Sequence, residues 1–220
     1  IGSNGKFTVF NCAEYADNPQ LLLSMLFGHV KGSFTGADSD KKGLVETSNG
    51  GIILLDEVHR LTPEGQEMLF SIMDRGKYNR LGESENTRKA NVLIIAATTE
   101  DPKSVMLSTF LRRIQVVIRL PSLEKRTLKE RMAFICEFFS EESMKIKVSV
   151  KVSKEVLKIL LLYKCSGNIG QLKNDIQLIC ANAFLDYITE NQDYVEVKVS
   201  QLSKRFKDGL FAIDDKRYEL

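Results

Sequence analysis

The chain has 220 residues, enough for one large domain or two modest ones with a real core. Charged residues make up 27% and apolar residues 43%, which excludes an intrinsically disordered chain. A formal net charge of +2 gives no argument for nucleic acid or an acidic membrane, and the four scattered cysteines (Cys12, Cys136, Cys165, Cys180) have no metal-ligand spacing. Reduced, buried thiols in a cytoplasmic protein are the expectation, since neither a signal peptide nor an apolar run of membrane-spanning length occurs.

In chain order, Gly2-Ser3-Asn4-Gly5-Lys6 imitates a phosphate loop but has the wrong glycine spacing. It also leads into a strand (7–11) rather than a helix, so it is read as a turn. Leu21–Phe27 reads as a short apolar helix stopped by Gly28. Next comes Gly32-Ser33-Phe34-Thr35-Gly36-Ala37, in which two glycines permit a sharp fold-back around one aromatic ring. Such a ring is either presented to a partner or tucked into its own core.

Residues 50–60, Gly-Gly-Ile-Ile-Leu-Leu-Asp-Glu-Val-His-Arg, are the centre of the chain. The unbroken run Ile52–Leu55 predicts a strand buried on both faces of a parallel sheet. Asp56 and Glu57 then fall at its carboxyl end, where open α/β sheets put their ligands. One carboxylate there can hold magnesium through its water shell while the other orients an attacking water, the pattern of a Walker B element. In the blander alternative Asp56 caps the following helix and Glu57 is solvated. Thr62-Pro63-Glu64 opens that helix. Residues 76–85 read as a hairpin-like insertion, Val92–Ala97 as a second buried strand ending in Thr98 and Thr99, and Val116–Leu120 as a third. From Glu124 three amphipathic helices follow, the second opened by Ser153. A short strand is expected within 194–199, and a solvated tail around Lys204-Arg205. The expected domains are an α/β core (1–121), a helical lid (122–192) and a linker toward a further domain (193–220).

The ordered motifs Phe-Asn-Cys-Ala (10–13), Leu-Phe-Gly-His (26–29), Gly-Ser-Phe-Thr-Gly-Ala (32–37), Gly-Gly-Ile-Ile-Leu-Leu-Asp-Glu (50–57), Ile-Ile-Ala-Ala-Thr (94–98), Leu-Pro-Ser-Leu (120–123) and Ser-Gly-Asn-Ile (166–169) resemble the AAA+ domain of sigma-54-dependent transcriptional activators. Residues 32–37 carry most of the specificity, being close to that family's signature loop. Details such as Ala-Asp-Ser-Asp-Lys-Lys (37–42) are similar to the levan-operon-regulator branch, which joins this ATPase to PTS regulation domains.

The resemblance implies an α/β fold: a P-loop-type parallel sheet flanked by helices, then a small helical lid. It implies ATP and Mg2+ as cofactors, a hexameric ring, sigma-54 RNA polymerase as partner, and DNA and PTS components reached through other domains. By position, Asp56 would be the magnesium ligand and Glu57 the water-activating base. Asn11 would restrain that glutamate, Thr98 would read the γ-phosphate as sensor I, and Arg112 or Arg113 would be the finger reaching a neighbouring subunit. Gly32, Ser33, Phe34, Thr35, Gly36 and Ala37 would contact the sigma factor. Three departures stand beside these matches. The family's P-loop and its strand should precede Lys6, so the chain is expected to begin inside the domain and to bind nucleotide weakly. Gly170 replaces the sensor II arginine, with Gln171 or Lys173 as possible substitutes, and Thr99 replaces an asparagine. A catalytically silent binding fragment of the same fold, or another AAA+ ATPase, are the alternatives.

Overall fold

A computed structural model of the chain describes residues 5–190, 192–203 and 206. The opening Gly2-Ser3-Asn4 and the tail at Lys204-Arg205 fall outside them. Two compact units are present, Ile1–Val117 and Ile118–Leu220.

The first unit contains β1 (Phe7–Asn11), α1 (Pro19–Phe27), β2 (Gly28–His29), β3 (Lys41–Lys42), α2 (Leu44–Thr47), β4 (Ile52–Asp56), α3 (Pro63–Arg75), β5 (Lys77–Tyr78), β6 (Arg88–Lys89), β7 (Leu93–Ala96), α4 (Pro102–Val105) and α5 (Ser108–Leu111). Strands β1, β4 and β7 form a parallel sheet in that order, so all three carboxyl ends share one edge. Helix boundaries follow local chemistry. Asn18 accepts a bond from Leu21 N ahead of Pro19, and Thr62 accepts one from Gly65 N ahead of Pro63, each giving an orphan amide of the first turn a partner. Thr62, not Asp56, therefore caps α3. The expected insertion at 76–85 contains β5 and runs on to 89, where β6 pairs with β5 antiparallel.

Alternation of side chains across the sheet decides what is buried. Phe10, Ile53 and Leu55 join Leu22, Leu26, Phe27, Leu69 and Phe110 in one core. The rows Phe7–Ile52–Leu93 and Val9–Leu54–Ile95 lie on the other face. There Phe7, Val9, Leu93 and Ile95 are exposed while Ile52 and Leu54 are half-buried. The expectation of strands buried on both faces is thus corrected, because packing covers a single face and β7 is an edge. Val116–Leu120 is corrected as well. It forms no strand, since no β-pairing partner exists for it among the described residues, and Val116, Val117, Ile118 and Leu120 are exposed.

The second unit contains α6 (Leu128–Ile146), β8 (Val150–Val152), α7 (Lys154–Leu162), α8 (Asn168–Glu190) and β9 (Val195–Val197), with β8 and β9 paired in parallel. Thr127 and Glu130 form a reciprocal capping box that opens α6. Ile135, Phe139, Val156, Leu160, Leu172, Ile176, Val195 and Val197 make its core. Buried Arg131 crosses this core, donating from Nε to Leu160 O and from Nη2 to Tyr163 O, and so takes up carbonyls at the end of α7. No helix among the described residues is long and apolar enough to cross a membrane.

Candidate functional site

The parallel register places Asn11 beside Asp56, and Ala96 beside Leu55, so Thr98 and Thr99 follow immediately at the same sheet edge. Two backbone bonds, Ala97 N to Leu55 O and Val58 N to Ala97 O, continue the ladder past the strand ends and fix this corner. Asp56 is exposed, and its Oδ1 accepts from Glu57 N at 3.0 Å. Glu57 adopts φ 50° and ψ 44°, the left-handed region that a β-carbon disfavours by about 1–2 kcal/mol. Strain of this kind, held in place by surrounding bonds, is a feature of functional corners.

Glu57 is not a solvated acid. The Thr99 hydroxyl donates to its carboxylate at 3.1 and 3.4 Å, and His59 Nδ1 lies 3.2 Å from Oε2. The same His59 Nδ1 is 2.9 Å from Thr98 Oγ1, which also accepts from Glu100 N at 3.1 Å. The His59 side chain is only 9% exposed. Cys12, buried in the strand-to-turn corner after β1, has its thiol pushed up to about 12, first by burial and then by the negative charges of Asp56 and Glu57. It is therefore inert as a nucleophile.

Asn11 sits at the same edge, but its Oδ1 accepts from Ala13 N, capping the turn at Cys12–Tyr15. The recorded partners of the Glu57 carboxylate are instead Thr99 and His59. The two arginines differ. Arg113 pairs with Asp74 at 2.6 Å and lies over the Phe70 ring at 5.3 Å. Arg112 is exposed at the end of α5, with no ion pair among the described residues.

Residues 32–37 fold back on themselves. Gly32 N donates to Ala37 O and Ala37 N to Phe34 O, with positive φ at Gly32 (80°) and Gly36 (94°). Phe34 is half-buried and meets His29 edge-on, with ring centroids 5.0 Å apart. His29 is itself buried and bonded through Nδ1 to Ser24 Oγ at 2.7 Å. Of the two readings, a ring presented outward or one tucked in, the ring lies between: the fold-back carries it onto His29 and leaves it half-buried.

The base of the loop is braced by the β5–β6 insertion. Val30 N bonds Leu81 O, Leu81 N bonds Gly28 O, and a β-carbon on Gly82 would fall 2.6 Å from Ser33 Cβ. Arg80 is buried and pairs with Glu46 at 2.7 Å, while Arg88 holds Glu83 through two bonds. Those bonds hold the Glu83 carboxyl below the usual carboxylate range.

In the second unit Gly170 is exposed, with open space where a side chain would stand. Both proposed substitutes have partners within this unit. Lys173 pairs with Glu141 at 2.8 Å and lies over Phe138, and Gln171 turns back to accept from Gly167 N. Sequence reasoning missed His59, although its position two residues after Glu57 was visible; the signal absent from the sequence was its contact with Thr98.

The sigma-54 interaction domain family matches residues 2–124 of this chain. The transcriptional regulatory protein LevR of Bacillus subtilis is 53% identical over 207 residues, covering 94% of this chain and 22% of that protein. DagR of Salmonella typhimurium is 51% identical over 90% of this chain and 21% of its own length. The Nif-specific regulatory protein of Klebsiella pneumoniae is 35% identical over 78% of this chain and 33% of its length. The chain thus spans about a fifth of the length of the first two relatives. Its α/β AAA+ fold is shared with NtrX from Brucella abortus, whose crystal structure in complex with ADP superposes with a TM-score of 0.76 at 21% identity, covering 94% of this chain and 44% of NtrX. The parallel sheet with its acidic edge, the folded-back loop of residues 32–37 and these matches have one consequence: the chain belongs to the sigma-54 interaction domain family.

Proposed function

We propose that these residues form the energy-transducing module of a cytoplasmic bacterial transcription regulator, in which hydrolysis of ATP at the edge of the sheet drives the loop of residues 32–37 against sigma-54 RNA polymerase. The observation that carries this reading is the convergence on Glu57: a carboxylate at the carboxyl edge of a parallel sheet, in strained backbone, with Thr99 donating to it and His59 Nδ1 3.2 Å away.

The residues described fit the metal and γ-phosphate end of a Mg-ATP complex. Asp56 is exposed beside Glu57, and no three His, Cys, Asp or Glu side chains gather into a metal cluster among the described residues. A divalent ion there would take one carboxylate from this chain and complete its shell with water and phosphate oxygens. When bound, Mg-ATP supplies the phosphoryl group and the charge neutralisation. Glu57 orients the attacking water and accepts its proton. Thr98 accepts from Glu100 N, and with the His59 proton on Nδ1 it accepts there too, which leaves its own hydroxyl proton to donate outward, as a phosphate reader requires. Arg112, exposed and without an ion pair among the described residues, is the better candidate for a finger offered to a neighbour in a hexameric ring, because Arg113 is committed to Asp74. DNA and PTS components are assigned to other parts of the full-length protein.

The test is Glu57→Gln in the full-length protein. It should lower hydrolysis by roughly 10²–10⁴-fold and leave ATP binding in place; equal hydrolysis by variant and parent would remove Glu57 from the base role.

A further inference from the structure

We infer that His59 is a positioning residue that joins the phosphate reader Thr98 to the base Glu57 through one shared imidazole N–H. This rests on the hydrolytic reading of the site. Nδ1 lies 3.2 Å from Glu57 Oε2, an ion-pair distance, and makes its hydrogen bond with Thr98 Oγ1 at 2.9 Å; a carboxylate can only accept, so the inferred tautomer is the one with the proton on Nδ1. Thr98 Oγ1 also accepts from Glu100 N at 3.1 Å. In that tautomer one N–H stands between base and sensor.

The ring has little freedom to do otherwise. It stands in the tight turn Val58–Arg60 directly after the strained Glu57, and its side chain is almost wholly buried. Thr99 closes the opposite side of the carboxylate, and Asn11 spends its oxygen on Ala13. A shift of the Thr98 hydroxyl, such as a change in what it donates to, alters how the His59 N–H is divided. The grip on Glu57 then changes without a new contact being made. His59 touches neither water nor phosphate in this scheme; it acts through its two neighbours.

The experiment uses the full-length protein with His59→Phe, His59→Asn, Thr98→Val and Glu57→Gln. An asparagine amide can present an N–H close to where imidazole Nδ1 stands, whereas phenylalanine keeps the ring and loses the donor. His59→Phe should lower kcat by about 10–100-fold, the usual cost of losing a partner that orients a reacting group. KM for ATP should stay within about threefold, because the lost interaction acts on the transition state. His59→Asn should recover most of kcat. In the Thr98→Val background His59→Phe should cost much less than in the parent, since residues acting as a unit are not additive. The imidazole nitrogen NMR signal of His59, assigned by its absence from His59→Asn, should show the proton on Nδ1.

If Glu57→Gln abolishes turnover while His59→Phe does not change it, the inference is overturned and the hydrolytic reading stands. If Glu57→Gln itself leaves turnover unchanged, both fall. Equal losses in His59→Phe and His59→Asn, tracking a fall in melting temperature, would make His59 a packing residue and overturn the inference. So would a neutral imidazole with its proton on Nε2.

Discussion

Phe34 has a structure-derived cost that separates its packing from its partner role. A fully buried phenylalanine loses about 3–5 kcal/mol on truncation to alanine, and an exposed one loses little. Phe34 lies between these cases, half-buried with one edge-on aromatic partner, His29. Such a pair contributes about 0.5–1.5 kcal/mol beyond its buried area. Half of the buried cost, with the ring contact included, gives about 1.5–2.5 kcal/mol for Phe34→Ala. For a unit of this size melting as its own transition, that corresponds to a fall of about 3–10 °C in melting temperature. The fold should survive, because the loop's own closing bonds, Gly32 N to Ala37 O and Ala37 N to Phe34 O, are backbone bonds that alanine keeps. Hydrolysis should persist for the same reason, while co-elution with sigma-54 in the presence of a γ-phosphate transition-state mimic should be lost. Melting and co-elution are measured on the same full-length preparation. No melting change refutes the contact with His29, a fall of full-burial size refutes the half-buried ring, and undiminished co-elution refutes the partner role.

Three other expectations follow from single contacts. Arg113→Ala should cost no more than about 1 kcal/mol, the usual scale for an exposed pair, whereas Arg112→Ala should cut turnover and be partly rescued by mixing with Glu57→Gln subunits; failure of mixed assemblies to exceed either parent removes Arg112 from the finger role. Arg131→Met should lower the stability of the second unit by about 2–4 kcal/mol in urea unfolding, because two buried carbonyls lose their donors, and an unchanged midpoint would refute this. The Glu83 carboxyl is held low chiefly by its bond from Arg88, so its contribution is complete above the unfolded carboxylate value of about 4.3 and is lost as pH falls through the lower folded value; thermal melts from pH 6 to 3 should decline less steeply for Glu83→Gln than for the parent.

Local chemistry was legible in the sequence where a few neighbouring residues decide the outcome. Thr62-Pro63 marks the start of α3, Ser153 that of α7, and Gly28 ends α1 because each signal concerns the orphan groups of one helix end. The apolar run at 52–55 identified the central strand for a similar reason. Pairing was not legible. Val116–Leu120 has the composition of a strand, yet a strand exists only with a neighbour, and β-propensity carries no information about whether one is there. The same limit explains why the apolar rows Phe7–Ile52–Leu93 and Val9–Leu54–Ile95 gave no hint of their exposure.

The site divides along the same line. Asp56 and Glu57 could be placed at the sheet edge from sequence because a strand end is a local event. What makes Glu57 more than an exposed acid lies far along the chain: Thr98 is 39 residues from His59, and Thr99 is 42 residues from Glu57. Only the parallel register of β4 with β7 brings them to one corner. That register also sustains the left-handed backbone at Glu57, since Val58 N must reach Ala97 O immediately after the strand ends. The strain, the donor pair and the sheet edge are therefore a single construction. On the proposed roles, a substitution that loosened the β4–β7 corner would move Glu57 and His59 together, so hydrolysis and nucleotide sensing should fail as a unit even though neither side chain had been changed.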